Sequence, residues 1–215
     1  GMSDKTLSVT DKQASQHRFL GSGIEGLLRI ASSYSHRFDE VILSLPKERT
    51  LKAINVSANR GQTTIINASL ENATLNTNGY LLRIEGSHIK NSKFTTPNII
   101  NIFKTELTDS QVQTEGEHIY AENIQVHGKV ELDSHNDLRL FLSKAEFDRI
   151  NLDISSQHGG IYRKAQREHP KQKENELANP YKTDKADVKD MLIIKANQDI
   201  YLPKEEEYSA PSRNH

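Results

Sequence analysis

Four six-residue segments between residues 51 and 112 decide the fold: LKAINV (51–56), LENATL (70–75), IKNSKF (89–94) and LTDSQV (107–112). Each segment has an apolar residue at its first and sixth positions and a small or apolar residue at its fourth. The first residues are separated by 19, 19 and 18 positions: Leu51, Leu70, Ile89 and Leu107. A repeat of about 20 residues, rich in strand-forming residues, indicates a β-solenoid in which successive turns stack on one another.

A second set of apolar positions recurs later in each turn and supports the same period. Its members alternate along the chain, as in strands with one buried face: Leu82 with Ile84, Ile100 with Ile102, Ile119 with Ala121, and Leu138 with Leu140 and Leu142. Two less regular turns follow, one through Gln125, Gly128 and Val130 and one through Phe147, Ile150 and Leu152. Residues 135–147 also have helical spacing, but the alternation of their leucines favours a strand.

One column of the repeat carries small or hydroxyl side chains: Ala58, Thr77, Thr96 and Thr114. Turn-forming residues follow each member: Asn59-Arg60-Gly61, Asn78-Gly79, Pro97-Asn98 and Glu115-Gly116. Because Asn and Gly tolerate positive φ, we expect sharp corners at these positions. The threonine column is expected to form a flat polar face on the surface; alternatively, it only stabilises the stack.

These patterns predict an all-β, single-domain β-solenoid of about six turns, each of 18–22 residues. The repeats are expected at residues 41–161, after an N-terminal cap region at 1–40. A polar loop is expected at 162–187, capping strands over the C-terminal edge at 188–202, and a flexible tail at 203–215. A β-sandwich is the alternative, which explains the strands but not the stacked columns.

The composition excludes several classes of function. The 215 residues include 28 Lys and Arg and 29 Asp and Glu, for a formal net charge of −1, so we expect no nucleic-acid partner. The absence of Cys excludes disulfides, thiolate catalysis and Cys-ligated metals. No apolar run approaches the ~18 residues of a transmembrane segment. No signal peptide is recognisable, but Gly1 before Met2 is typical of an expression remnant, so a leader or anchor could have been trimmed.

The turn motifs resemble those of a bacterial family of unknown function that carries the name adhesin. The similarity spans residues 41–202 and begins with Leu45-Pro46, Leu51-x-x-Ile54-x-Val56 and a glycine-containing corner before Ile65. Its later corners are Thr77-Asn78-Gly79-Tyr80-Leu81, Gly159-Gly160-Ile161-Tyr162 and Asn197-Gln198-Asp199-Ile200-Tyr201. The resemblance implies a right-handed β-helix associated with the cell envelope, and it carries no established activity.

Patterns that would support cofactor or metal chemistry are weak. Residues 21–26, GSGIEG, satisfy the dinucleotide pattern G-x-G-x-x-G, and residues 27–34 could form the required helix, but no βαβ alternation follows. The histidines are spread singly: His17, His36, His88, His118, His127, His135, His158, His169 and His215. We therefore assign no catalytic, cofactor-binding or metal-ligating residue and expect no cofactor. The basic residues at 163–173 are interrupted by acidic ones and are interpreted as a solvated loop.

Glu131 and Asp153 are the one pair of carboxylates that the repeat would place on adjacent turns. A polysaccharide-cleaving solenoid needs two carboxylates within ~5–10 Å of each other. The pair therefore defines an alternative function, a carbohydrate-active solenoid enzyme.

The sequence favours a non-catalytic surface protein that presents a rigid polar face to a partner. That partner could be a glycan, a cell-wall polymer or a protein. We expect an extracellular or envelope-associated location, with a cytoplasmic location as the alternative. An intracellular scaffold that associates end to end is the third hypothesis.

Overall fold

The computed structural model describes residues 62–77, 80–165 and 175–208, together with the backbones of five strands before residue 59. The described chain is mostly β-strand, and almost all of its strand pairs are parallel. The prediction of a repeat-built, β-rich chain is confirmed.

The strands are numbered in chain order. The N-terminal part contributes β1 (Thr6–Val9), β2 (Leu27–Ser32), β3 (Glu40–Ser44), β4 (Thr50–Leu51) and β5 (Ala53–Ala58). The regular part contributes β6 (Gln62–Ile66), β7 (Ser69–Glu71), β8 (Thr74–Asn76), β9 (Leu81–Glu85), β10 (His88–Lys90), β11 (Lys93–Thr96), β12 (Ile99–Phe103), β13 (Glu106–Thr108), β14 (Gln111–Thr114) and β15 (Ile119–Glu122). The C-terminal part contributes β16 (Gln125–His127), β17 (Lys129–Ser134), β18 (Leu138–Phe141), helix α1 (Lys144–Arg149), β19 (Asn151–Ser156), β20 (Ile161–Tyr162), β21 (Glu176–Leu177), β22 (Tyr181–Lys182), β23 (Met191–Ala196), β24 (Ile200–Tyr201) and helix α2 (Glu205–Tyr208).

Three sheets contain nearly all of these strands. Sheet 1 has the order β1-β3-β6-β9-β12-β15-β18-β24-β20-β21, sheet 2 the order β4-β7-β10-β13-β16, and sheet 3 the order β8-β11-β14-β17-β23-β19-β22. Strand β2 pairs with β5, which lies against β8. From β7 to β18 the chain visits sheets 2, 3 and 1 in that order four times, so each visit adds one strand to every sheet.

The register of the hexads is confirmed across the first four turns. Their first residues pair in one column of sheet 2: Leu51, Leu70, Ile89 and Leu107. Their sixth residues pair in sheet 3 as Leu75, Phe94 and Val112, each 0% exposed. These columns bring apolar side chains of successive turns into contact and form a continuous core.

The register predicted for the next turn is wrong. Leu107 pairs with Val126 rather than Gln125, and Val112 pairs with Leu132 rather than Val130. The segment between the two columns is one residue longer here, with Gly128 at a left-handed corner (φ 64°). The branched residues Val126 and Leu132 are fully buried, so burial of the apolar side chains decides the register.

Of the four predicted corners, Asn59-Arg60-Gly61 and Asn78-Gly79 lie outside the described residues, and the other two form without a left-handed residue. In the described chain, positive φ does not occur at Asn98 or Gly116. Apart from Asp187, it occurs in two columns that flank sheet 2: Asn67, Gly86, Lys104 and Asn123 on one side, and Asn72, Asn91, Asp109 and Gly128 on the other. A three-residue strand needs a sharp turn at both ends, which the left-handed conformation provides and Asn and Gly adopt most readily.

Strands β23 and β24 are inserted into the stack out of chain order. Leu192 of β23 pairs with Val130 on one side and with Leu152 on the other. Ile200 of β24 likewise lies between Leu138 and Ile161. Residues 188–202 were expected to cover the C-terminal edge, but their strands lie between β17–β18 and β19–β20 instead. The antiparallel strands β21 and β22 occupy the outer positions.

Helix α1 closes the open edge of sheet 2 with two side chains. Glu146 Oε2 accepts a hydrogen bond from Val126 N (2.7 Å), and Arg149 Nη2 donates one to Val126 O (2.5 Å). Arg149 Nε also donates to Glu146 Oε1 (2.7 Å), and Arg149 Nη1 reaches Asp190 Oδ2 (2.5 Å). The Glu146–Arg149 pair therefore satisfies the backbone groups that a further strand would otherwise bind, which protects an edge that could pair with another chain.

Strand β18 confirms the strand expected over the leucines, whereas Phe147 lies in α1 rather than starting a hexad.

Two segments expected to be mobile make specific contacts. The expected polar loop at 162–187 contains β21 and β22, and its residues 166–174 lie outside the described chain. In the expected tail at 203–215, Glu205 accepts a hydrogen bond from Lys144 N (3.1 Å) and Glu207 accepts one from Ala165 N (3.0 Å). These contacts hold α2 against the C-terminal part of the stack.

Candidate binding face

Sheet 2 presents a face on which every outward side chain of β7, β10, β13 and β16 is polar. In each of its strands β7, β10, β13 and β16, the central residue points into the core and is at most 1% exposed; these residues are Leu70, Ile89, Leu107 and Val126. The flanking residues are half-buried or exposed: Ser69, Glu71, His88, Lys90, Glu106, Thr108, Gln125 and His127. Because neighbouring strands are about 4.8 Å apart, the face is a narrow strip on which polar groups repeat at that spacing.

A cluster of three side chains lies at the centre of this face. His88 Nδ1 is 2.7 Å from Glu106 Oε2, and His127 Nε2 is 2.6 Å from Glu106 Oε1. At these distances both imidazole rings lie in direct polar contact with the carboxylate of Glu106. No ion fits between groups in such direct contact, and no group of three His, Asp or Glu side chains in the described chain is arranged to hold a metal. The cluster is therefore a polar patch that spans three strands.

Two polar grooves flank the face at its corners. The groove between sheets 2 and 3 has a volume of about 510 Å³, and its lining includes Asn72, Asn91, Lys93, Asp109, Lys129 and Glu131. The groove between sheets 1 and 2 has a volume of about 410 Å³, and its lining includes Asn67, His88, Lys104, Glu106, Asn123 and Gln125. Amide, carboxylate and ammonium groups in a concave surface can hydrogen-bond the polar groups of an extended ligand.

The threonine column is not part of any surface. Thr77, Thr96 and Thr114 are at most 2% exposed, so the prediction that they form a polar face is wrong. The Thr114 hydroxyl donates to Asn98 O (2.5 Å) and accepts from Glu117 N (3.2 Å). The hydroxyls of Thr96 and Thr114 therefore bind backbone groups at the corner between sheets 3 and 1, and that of Thr77 contacts the Thr63 hydroxyl (3.1 Å), which is the stabilising alternative.

The carboxylates of the enzyme hypothesis are not on adjacent strands. Glu131 pairs with Ile193, and Ile193 pairs with Asp153, so the two acidic residues are separated by two strand spacings, about 9.6 Å. Each is next to its own cation: Glu131 lies 2.8 Å from Lys195, and Asp153 lies 3.7 Å from Lys182. The prediction of adjacency is wrong because β23 is inserted between the two strands.

An ion network surrounds Glu131 on sheet 3. Burial, and then the charge of Glu131, raise the pKa of the neighbouring Asp133. The hydrogen bond to Glu131 raises the pKa of Lys195. The network therefore holds Lys195 charged against Glu131 and destabilises the ionised form of Asp133.

The nucleotide interpretation of residues 21–26 loses its structural context. Those residues lie outside the described chain, but Leu27–Ser32 is strand β2, parallel to β5, rather than a helix. A phosphate-binding loop of this kind requires a helix N-terminus directly after it. Leu27–Ser32 therefore does not supply the helix that the nucleotide interpretation requires.

The other single histidines and the basic segment are dispersed. His118 accepts a hydrogen bond from Asp137 N (3.3 Å), and His135 and His158 are exposed. Arg163 lies over the Phe147 ring at 4.2 Å, and Lys164 is buried near Tyr162, so these cations pack on aromatic rings rather than in a solvated loop. His17, His36, His169 and His215 lie outside the described residues, as do Arg167, Lys171 and Lys173.

The cluster at Glu106 was missed by sequence reasoning because of the register error at residues 125–130. With Val126 in the column of Leu107, His127 directly follows a buried residue, as Lys90 and Thr108 do. His88 and Glu106 both directly precede one. The signal was therefore present in the polar residues that flank the buried column, once the column itself is correctly aligned.

The fold and the face together define a repeat-built, parallel β-domain with a polar surface strip. The chain belongs to the Toastrack DUF4097 family, which matches residues 2–202 and whose function is unknown. No curated protein and no solved structure matches the chain. None of the helices in the described residues has the length and apolar character to cross a bilayer.

Proposed function

We propose that this domain is a non-catalytic binding module of the cell envelope, which presents the face of sheet 2 to a surface partner as an adhesin does. Its fold is a right-handed β-helix of about six turns. The proposed hand rests on the general rule that connections between parallel strands of one sheet are right-handed in about 98% of cases.

The observation that carries this proposal is the all-polar outer face of sheet 2. The central residues anchor these strands in the core, and the outward residues face solvent, where they are available for recognition. The imidazole rings of His88 and His127 both contact Glu106, so the three side chains present their polar groups together on the face. A straight strip of groups at regular spacing suits an extended partner, such as a glycan or a wall polymer.

The location is tested by protease treatment of intact cells that make the protein, followed by detection with an antibody to the domain. We expect the domain to be removed from intact cells while a cytosolic marker is retained. Protection of the domain until the cells are lysed would contradict the envelope location.

The role of the face is tested by retention of the purified protein on isolated cell envelopes. We expect His88→Ala/His127→Ala to reduce retention, and His135→Ala/His158→Ala to leave it unchanged, because the latter two histidines are exposed outside the face. Equal retention of both double variants would show that sheet 2 is not the binding surface.

A further inference from the structure

A smaller cavity lies on the outer side of sheet 1, away from the polar face of sheet 2. Its volume is about 270 Å³, and it is lined by His118, Ile119, Tyr120, Asp137 and Arg139. Tyr120 of β15 and Arg139 of β18 are paired residues on neighbouring strands, and Arg139 is paired in turn with Tyr201 of β24. Because the residues before and after Arg139 are buried, its exposed side chain points outward between the two tyrosines.

The guanidinium group of Arg139 contacts a ring and keeps its hydrogen-bond donors. Its Cζ atom lies 5.4 Å from the centroid of the Tyr201 ring, which is a cation–π contact. Within the described residues, no hydrogen bond or ion pair involves this side chain. The five N–H donors of a guanidinium lie in one plane, so the cavity has a planar set of donors that a ligand can use.

Asp137 supplies an acceptor in the same cavity. Its Oδ1 atom accepts a hydrogen bond from Asp199 N (2.9 Å), whereas its Oδ2 atom accepts none from the part of the chain that the structure describes. Asp137 and Arg139 are two residues apart, a distance of about 6.6 Å along an extended strand. No ion pair joins their side chains, so a donor group and an acceptor group are separately available to a ligand.

These groups favour an uncharged ligand that carries hydroxyl groups. The formal charges of Arg139 and Asp137 cancel, so an anionic ligand would be attracted by the first and repelled by the second. A hydroxyl both donates and accepts, so neighbouring hydroxyls can accept from the guanidinium and donate to the carboxylate. The Tyr120 ring packs against Phe103 and Phe141, at 5.7 and 5.0 Å between centroids, and forms an apolar wall for the C–H groups of a sugar.

We propose that this cavity binds one unit of an uncharged polysaccharide, with its hydroxyl groups on Arg139 and Asp137 and its C–H groups against Tyr120. The inference goes beyond the proposed function, because it adds a site on sheet 1 to the face of sheet 2. The two sites do not share a residue and can be tested separately.

The test follows backbone amide signals of the full chain by NMR during titration with three uncharged oligosaccharides: maltohexaose, cellohexaose and N-acetylated chitohexaose. We expect at least one to bind, with the largest shifts at Tyr120 and Arg139 and with an affinity that added salt does not reduce. Hexagalacturonate is the anionic probe, and tighter binding of it than of every uncharged probe would overturn the ligand class. Shifts confined to sheet 2 would overturn the site.

Two conservative variants test the assigned contacts. Arg139→Gln removes the guanidinium, and Asp137→Asn removes the charge but keeps an Oδ1 atom that can accept from Asp199 N. A hydrogen bond to a charged group is worth enough that each variant should weaken sugar binding by about tenfold. Unchanged binding in both variants would overturn the proposal.

Arg83→Gln is the matched control. Arg83 lies in the same outward column of sheet 1 and over the Phe103 ring (4.7 Å), but Glu85 Oε2 accepts from its Nε at 3.2 Å. This variant should bind the sugar as the unmodified protein does, and an equal loss would show that the cavity is not the site. Binding of none of the three oligosaccharides would overturn this inference, whereas envelope retention of His88→Ala/His127→Ala tests the proposed function independently.

Discussion

The regular turns from β7 to β15 and the C-terminal part from β16 to β24 both stack parallel strands over one core, but they stack them in different chain orders. In the regular turns, strands that follow one another by one repeat are also neighbours in space, so Leu75, Phe94 and Val112 stack in chain order. In the C-terminal part, β23 enters between β17 and β19, and the chain order is broken. The comparison shows that a fixed period determines the register only while successive turns remain neighbours.

The inserted strands pack as well as the regular ones. Leu192, Ile194 and Ile200 are 0% exposed, as are Leu82, Ile84 and Ile102. To reach this position, β23 must return to the stack across a segment of more than 30 residues that follows β19. The entropy lost on closing such a segment grows only slowly with its length. Strands β17 and β19, each of six residues, pair with β23 along its whole length on both sides.

The largest expected effect is the loss of stability when a cavity is made in the core of either part. Ile194→Ala in β23 and Ile102→Ala in β12 each remove buried methyl groups, and each should lower the free energy of unfolding by about 2–5 kcal/mol. The measurement is the urea midpoint, with the half-buried Ile193→Ala as a control that should lose less. A loss near zero for Ile194→Ala would mean that β23 is not part of the core.

The next effect concerns the edge of sheet 2 at β16, which Glu146 and Arg149 close. Glu146→Ala removes the acceptor of Val126 N and the partner of Arg149, so stability should fall by about 1–3 kcal/mol. Hydrogen exchange at the Val126 amide should accelerate in the same variant. Lys144→Ala, which breaks an exposed ion pair on the same helix, should change neither property. Unchanged exchange at Val126 in Glu146→Ala would contradict the role assigned to the pair.

A smaller effect is expected at a corner of the regular turns. Lys104 has a φ of 47°, in a column where the neighbouring turns have Gly86 and Asn123. Because the left-handed conformation costs a residue such as Lys about 1 kcal/mol, Lys104→Asn should stabilise the protein by about 0.5–1 kcal/mol. The reverse change, Asn123→Lys, should destabilise it by a similar amount in thermal unfolding. A lower melting temperature for Lys104→Asn would show that the corner is not strained.

The smallest effect is electrostatic and depends on pH. The pKa of Asp133 is raised in the folded state, first by burial and then by Glu131, so its ionisation reduces stability above that pKa. Asp133→Asn should therefore stabilise the protein at pH 7, by less than about 1 kcal/mol because solvent screens the site. The gain should vanish as the pH falls through the raised pKa, because the aspartate is then neutral.

The pKa of Asp190 is shifted in the opposite direction, so its replacement should change stability in the opposite direction and serves as the control. The hydrogen bond from Gly128 N lowers its pKa, with a further contribution from Arg149, so its ionised form stabilises the fold. Asp190→Asn should destabilise the protein at pH 7, and that loss should fade only as the pH falls through the lowered pKa. The same sign for both variants at pH 7 would contradict the pKa shifts.

Much of the fold could be predicted from the sequence, because the spacing of the first four hexads is enough to show which of their residues pair with one another. The errors begin where the local pattern is ambiguous: Val126 and Gln125 are adjacent, and only burial distinguishes them. The insertion of β23 could not be predicted from the period, because Leu152 and Leu192 present the same aliphatic alternation and either could follow Val130.

The candidate site was less predictable than the fold. Thr96 and Thr114 lie in a regular column, but the sequence does not tell whether a hydroxyl points outward or accepts backbone hydrogen bonds inside a corner. The contact of His88 and His127 with Glu106 depends on the alignment of three strands and was lost through an error of one residue.

The most direct test of the out-of-order stack uses engineered cysteine pairs, since the chain has no Cys of its own. The pair Glu131→Cys/Ile193→Cys should form a disulfide under mild oxidation, because paired residues on neighbouring strands have Cα atoms within the range of about 4.4–6.8 Å that a disulfide spans. The pair Glu131→Cys/Asp153→Cys should not, because two strand spacings separate its members by about 9.6 Å. A disulfide in the second pair and none in the first would contradict the account, because β19 would then lie directly on β17.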